Sequence, residues 1–153
     1  MDRLYMQEAF KQAQTAFKID EVPIGAVIIH ENKVIAKAHN QVEMLRDPTA
    51  HAEMIAITQA CHLLGSKWLL DCTLYVTLEP CSMCAGALVL SRIKQIYYGT
   101  KDPKAGACGS ITSITRHAKL NHRIQVHNGI LTDECAGLLK DFFRQKRKKR
   151  LKS

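Results

Sequence analysis

The chain has 153 residues, 46% hydrophobic and 24% charged. That balance excludes disorder for its bulk and leaves room for one domain, residues 1–153, with a core that needs no covalent staples. Its longest apolar runs, Ile24–Ile29 and Ala85–Leu90, fall far short of the roughly 20 residues that span a bilayer. The opening residues lack a signal peptide's apolar core, which predicts a cytoplasmic protein with reduced thiols. The net charge is +8, yet Arg144–Lys152 alone holds seven basic residues and no acidic one. The basicity therefore sits in a tail at about 144–153, which reads either as a site for a polyanion or as a solvated helix end.

Residues 3–18 place Met6, Phe10, Ala13 and Phe17 at helical spacing and predict an amphipathic first helix. Val22–Ile29 and Lys33–Ala38, rich in β-branched residues and split by His30-Glu31-Asn32, predict a hairpin. Asp47-Pro48-Thr49 has the form of a helix start, a capping side chain followed by proline. From there Ala50, Met54, Ile57, Cys61 and Leu64 form an apolar stripe that ends at Gly65. Thr73–Leu78 predicts a buried strand, Ser82–Ser91 a helix of small apolar residues, Gln95–Tyr98 and Ile124–Val126 two further strands. Residues 100–122 carry no period that assigns them. Thr132–Arg150 predicts a last helix with Cys135, Leu138, Leu139, Phe142 and Phe143 toward the core, although adjacent phenylalanines cannot both face it fully. Acidic residues open this helix and basic ones close it, as the helix dipole favours. Helices alternating with strands after a hairpin predict an α/β fold of three layers, α/β/α, around a mixed sheet of about five strands.

Two short segments carry chemistry. His51-Ala52-Glu53 stands near a predicted helix start, and Pro80-Cys81-Ser82-Met83-Cys84 at a strand-to-helix junction. Alone, the second reads equally as a redox pair or as metal ligands. Together they offer one imidazole and two thiolates, three zinc ligands that leave a fourth position for water. Zinc would lower the pKa of that water to about 7, and a carboxylate two residues from the histidine could move protons to and from it. One geometric obstacle stands in the way. Positions i and i+2 of an ideal helix point about 200° apart, so His51 and Glu53 cannot share a face if both are helical.

The pair His51-Ala52-Glu53 and Pro80-Cys81-x-x-Cys84 resembles the zinc signature of the cytidine/deoxycytidylate deaminase superfamily. The flanks are more specific. Asp47–Glu53, Thr77–Ala87, Tyr98-Gly99, Asp102-Pro103-Lys104-x-Gly106-x-x-Gly109-Ser110, Asn121-His122-Arg123 and Asp141-Phe142-Phe143-Arg144 resemble the bacterial tRNA-specific adenosine deaminases over nearly the whole chain.

The resemblance implies a cytidine deaminase-like fold, one Zn2+ per subunit on His51, Cys81 and Cys84, and Glu53 as general acid and base. It implies hydrolytic deamination of adenosine to inosine by zinc-activated water at the wobble position of a tRNA anticodon stem-loop, usually tRNA-Arg, by a homodimer. The zinc motif by itself leaves open a deaminase of a free nucleobase or nucleotide such as guanine or cytosine. Asn40 would hydrogen-bond the target nucleoside, against a reading as a turn residue. Asp102 would accept from a ribose 2′-OH, against a reading as a turn carboxylate. Lys104 would meet a phosphate, against a reading as a solvated lysine, and Phe143 would stack near a loop base, against a reading as the core ring of the pair. Ala85-Gly86-Ala87 fits either close packing or a subunit interface. Cys61, Cys72, Cys108 and Cys135 read as apolar thiols, and His122 is left without a role.

Overall fold

Glu31 and Asn32 both adopt left-handed backbone, with φ of 50° and 62°. That is what a two-residue primed turn requires. They close the expected hairpin between β1 (Gly25–His30) and β2 (Lys33–His39). The computed structural model describes residues 1–152; Ser153, the end of the expected basic tail, lies outside the described residues. Val22–Ile24 does not join β1. Pro23 lacks an N–H for a ladder, and the Ile24 N–H turns back to the Val22 carbonyl at 2.8 Å. Gly25 begins the strand because α1 (Asp2–Lys18) crosses directly over it: a Cβ there would lie 2.0 Å from the Ala9 carbonyl oxygen.

Three more strands complete a mixed sheet of order β2-β1-β3-β4-β5, with β3 (Cys72–Leu78), β4 (Gln95–Thr100) and β5 (Gln125–Asn128). β1 pairs antiparallel with both β2 and β3, whereas β3, β4 and β5 run parallel. A short helix, α2 (Val42–Leu45), follows β2 and was not expected from the sequence. The longer α3 (Ala52–Leu64) and α4 (Ser82–Leu90) cover one face of the sheet. α1 and α5 (Thr132–Lys152) cover the other. This is the three-layer α/β/α arrangement. Ile28, Leu74, Leu88 and Ile96 are fully buried between the layers, each side chain contributing about 1.5–3 kcal/mol. Among the described residues, no helix is long and apolar enough to cross a membrane.

Three expectations change at the level of side chains. Asp47 does not start α3: its Oδ1 accepts from the Thr49 N–H and Oγ1, closing a local turn, and the helix begins at Ala52. The face of α3 toward the sheet is Ala52, Ala56 and Ala60, while Ile57, Cys61 and Leu64 pack at its flank and Met54 is only half-buried. Alanines let the helix axis approach the strands, and the larger side chains then fill the edges. On α5, Cys135 and Phe142 are buried, Leu138 and Leu139 are half-buried, and Phe143 is 44% exposed. One residue's step of about 100° turns it out of the core.

Candidate active site

β3 ends at Leu78, and the chain runs through Glu79-Pro80 into Cys81, which precedes α4 in extended conformation (φ −74°, ψ 176°). His51 precedes α3 in the same way (φ −75°, ψ 151°). The extended backbone removes the obstacle raised by ideal helix geometry: His51 lies outside the helix whose first turn holds Glu53. Two contacts enforce this. The Asn40 Oδ1 accepts the Ala52 N–H at 2.8 Å, capping α3 from the end of β2, and the Gln41 N–H donates to the Ala50 carbonyl at 3.0 Å. Neither His51 nor Cys81 spends its side chain on capping, so both are free to converge.

They do converge. His51 Nδ1 lies 3.7 Å from Cys81 Sγ and 3.5 Å from Cys84 Sγ, and all three donor atoms fall within 4.8 Å of one another. A tetrahedral zinc with Zn–S of about 2.3 Å and Zn–N of about 2.0 Å sets N···S separations of about 3.5 Å. The donor set and its spacing therefore suit such an ion. The electrostatics agree. Hydrogen bonds from Cys84 and His51 hold the Cys81 thiol well below its ordinary range, and the Cys81 sulfur raises the imidazole. The same bond to Cys81, together with burial, pushes the Cys84 thiol up, so the pair favours one thiolate by itself and a bound cation would displace the second proton.

Glu53 lies beside these donors and is only 4% exposed. Its Oε1 is buried without a hydrogen-bond partner, the costly condition that a polar ligand would relieve. Burial pushes its carboxyl up to about 7. A carboxyl that titrates near neutrality can both take and give a proton at working pH.

Above the cluster opens a groove of about 1500 Å³, lined by Asn40, His51, Asp102, Lys104 and Phe143 together with Lys140, Arg144, Arg147 and Arg150 of α5. All four residues singled out for substrate thus share one groove with His51. Both residues also hold structure: Asp102 serves the turn that its alternative reading assigned it, whereas Asn40 serves a distant helix start and not a turn. Asn40 caps α3, and Asp102 Oδ1 accepts the N–H groups of Lys104 and Ala105 at 3.0 and 3.1 Å.

Two carboxylates to which the sequence pattern assigns no role brace the groove. Glu21 is buried and accepts from the Glu43 and Met44 N–H groups at 3.0 and 2.7 Å, holding the start of α2. Glu79 is buried as well. Its Oε1 accepts from the Asp102 N–H (3.1 Å) and Ser110 Oγ (2.5 Å), its Oε2 from the N–H groups of Cys108 (3.0 Å) and Ser110 (3.1 Å). Burial pushes its carboxyl up, but these bonds outweigh burial and hold it below its ordinary value. The only local signal was a carboxylate placed between an apolar strand and a proline.

The four remaining cysteines are free thiols. Burial raises Cys72 to about 11 and Cys108 and Cys135 to about 12, and Cys61 is raised by the same cause. His122 has a structural role. Its Nε2 lies 2.6 Å from the Ile93 carbonyl, fastening the segment before β5 to the entrance of β4.

A site of this kind, at the carboxyl end of a strand in a mixed sheet, is that of a deaminase. A family model described as MafB19-like deaminase matches residues 1–147. A tRNA-specific adenosine deaminase of Bacillus subtilis (strain 168) is 48% identical over 149 residues, 97% of this chain and 92% of the relative. A solved structure from studies of A-to-I editing by tRNA:A34 deaminases at the wobble position of transfer RNA superposes with a TM-score of 0.86 at 43% identity, covering 89% of this chain and 99% of that one. A guanine deaminase structure from Bacillus subtilis is more distant, with a TM-score of 0.63 at 32% identity over 95% of this chain and 92% of that one. The chain belongs to the MafB19-like deaminases and, among them, to the family of the tRNA-specific adenosine deaminases.

Proposed function

We propose that this chain, acting as one domain, converts adenosine to inosine at the wobble position of a tRNA anticodon loop by hydrolytic deamination, with tRNA-Arg as the expected substrate and the cytoplasm as its place of action. The reading is carried by the convergence of His51, Cys81 and Cys84 beside a buried, unpartnered Glu53 oxygen, at the foot of a groove with a cationic wall.

His51, Cys81 and Cys84 would hold one Zn2+ per chain, which supplies a water with its pKa lowered to about 7. Glu53 moves protons through Oε1: it takes one from the water and delivers it to N1 of the adenine, then takes the second proton of the same oxygen and gives it to the amino group that leaves C6 as ammonia. Asn40 orients the nucleoside. Its Oδ1 is engaged by the Ala52 N–H, so its side-chain NH₂ is the donor available to substrate. Asp102 uses Oδ1 for its own turn and has a second oxygen for a ribose 2′-OH, the group that separates RNA from DNA. Lys104 and the α5 cations neutralise phosphates, and the exposed Phe143 ring offers a stacking surface for a loop base. A base in a loop is already partly unstacked, which lowers the cost of placing it in the pocket.

A homodimer is the proposed assembly. Leu63 and Leu90 stand exposed at the C-terminal ends of α3 and α4, and a Cβ at Gly86 would meet open space. Deamination of a free nucleobase such as guanine or cytosine is the second reading, favoured by the kinship with guanine deaminase. A groove of about 1500 Å³ with several lysines and arginines exceeds what a neutral base can use.

The decisive experiment incubates the zinc-loaded protein with an anticodon stem-loop carrying adenosine at the wobble position, with guanine and cytosine in parallel. Inosine from the stem-loop, about one zinc per chain and no turnover of the free bases are the expected results. Xanthine or uracil without inosine would establish the second reading.

A further inference from the structure

The wall that carries Asp102 and Lys104 belongs to a long stretch, 101–124, without a helix or a strand. Its outer part still has a defined shape. Asp102, Cys108 and Ser110 all aim backbone N–H groups at one buried carboxylate, that of Glu79, and Ser110 adds its hydroxyl. Gly106 lies against the same carboxylate so closely that a Cβ there would come within 2.4 Å of it. The loop is thus folded around the carboxylate as around a bound anion. Glu79 is also only two residues from Cys81. The Ala107 N–H donates to the Pro80 carbonyl at 2.9 Å, and Gly106 bridges to Cys81 itself. Loop and metal-ligand segment are therefore fastened together at a single place.

Resting on the reading that this groove takes the anticodon loop, we infer that Glu79 is a positioning residue: its carboxylate folds the 102–110 loop into the wall that binds RNA and sets that wall's distance from the reacting base. A carboxylate is uniquely suited to this role. Two oxygens face four donors, and both must accept. Glutamine is isosteric but has only one acceptor. Its carbonyl is retained where two backbone N–H groups converge, from Cys108 and Ser110. Its NH₂ then faces the Asp102 N–H, donor against donor, while the Ser110 hydroxyl can rotate to accept. Glu79→Gln therefore unpairs Asp102 in particular, the residue at the mouth of the groove.

The test measures kcat and KM for the wobble-adenosine stem-loop on zinc-loaded proteins, together with hydrogen exchange of the loop amides. Glu79→Gln should raise KM about tenfold, change kcat less than threefold, leave zinc content unaltered and speed exchange at Asp102. Ser110→Ala, which leaves three backbone donors in place, should raise KM less. Gly106→Ala pushes on the same contact from the opposite side. It should reproduce Glu79→Gln, and the double variant should be no worse than either alone, because residues serving one contact do not add. Should Glu79→Gln fail to accumulate as folded protein, the KM and exchange of Gly106→Ala and Ser110→Ala decide the matter. An unchanged KM, a fall in kcat at constant KM, or multiplying effects of the two substitutions would overturn the role of Glu79. No inosine from the unsubstituted protein would instead overturn the function on which that role rests.

Discussion

His51 and Cys81 stand where regular elements deliver them, at the starts of two helices packed on one sheet, whereas Asp102 and Lys104 stand on a segment with no helix or strand at all. The floor of the groove inherits its geometry from many contacts, since β1, β3, α3 and α4 share one apolar core. The wall is held by hydrogen bonds instead of an apolar core: four to Glu79, the turn made by Asp102 Oδ1, and backbone contacts such as the Ala107 N–H to the Pro80 carbonyl. Losing a donor from the floor should therefore destroy the chemistry at its centre, while a change in the wall should weaken recognition and leave the chemistry in place.

The largest effect should come from Cys84→Ala. Cys84 is fully buried and supplies one of the three donors grouped among the described residues, so zinc content, activity and thermal midpoint should fall together. A variant that kept about one zinc per chain, by metal analysis, would remove Cys84 from the ligand set. Next is Glu53→Ala, which should lower turnover by at least about 10²–10⁴-fold, the usual contribution of a general acid–base group. Zinc content and fold should persist, because Oε1, the oxygen assigned to proton transfer, makes no hydrogen bond that the fold would lose. Zinc lost along with activity would make Glu53 a ligand and not a proton carrier.

In the wall the effects should be smaller and should spare kcat. Ending the chain at Arg147 removes Lys148, Lys149, Arg150 and Lys152 but keeps the Lys146–Asp20 ion pair at 2.6 Å that ties α5 to the end of α1. The slope of log affinity against log salt should become shallower by about 0.7 for each deleted cation that meets a phosphate. Equal slopes would mean that the tail is only a solvated helix end. Asp102→Asn should produce the smallest change. Asparagine keeps the Oδ1 acceptor, so the turn to Lys104 and Ala105 survives, while the second oxygen is replaced by an NH₂. Discrimination between ribose and deoxyribose at the target should fall by about tenfold, the low end of what a hydrogen bond to a charged acceptor contributes. An unchanged ratio would reduce Asp102 to its turn.

Much of the floor was legible in the sequence because it is local. Cys81 and Cys84 are one helical turn apart, His51 and Glu53 are two residues apart, and strand and helix periods place them at the ends of elements. The wall was not legible, since residues 100–122 have no apolar period and the 102–110 loop folds around a carboxylate more than twenty residues earlier. Phe143 shows the same limit on a smaller scale: spacing says that one of two adjacent rings leaves the core, and only the packing of Phe142 edge-on against Phe17 at 6.0 Å decides which.

By itself, the sequence determined the donors, the alternation of helices and strands, and the charge of the last helix, all of which depend on residue type and short-range periodicity. The tertiary structure alone decided whether those donors could meet. An ideal helix turns His51 and Glu53 to opposite sides. The site exists because Asn40, at the end of β2, takes the first N–H of α3 and keeps His51 extended outside the helix. Glu79 likewise matters only once the chain returns to surround it. Such bonds join residues distant along the chain, and a buried polar group must find whichever partner the fold brings within reach.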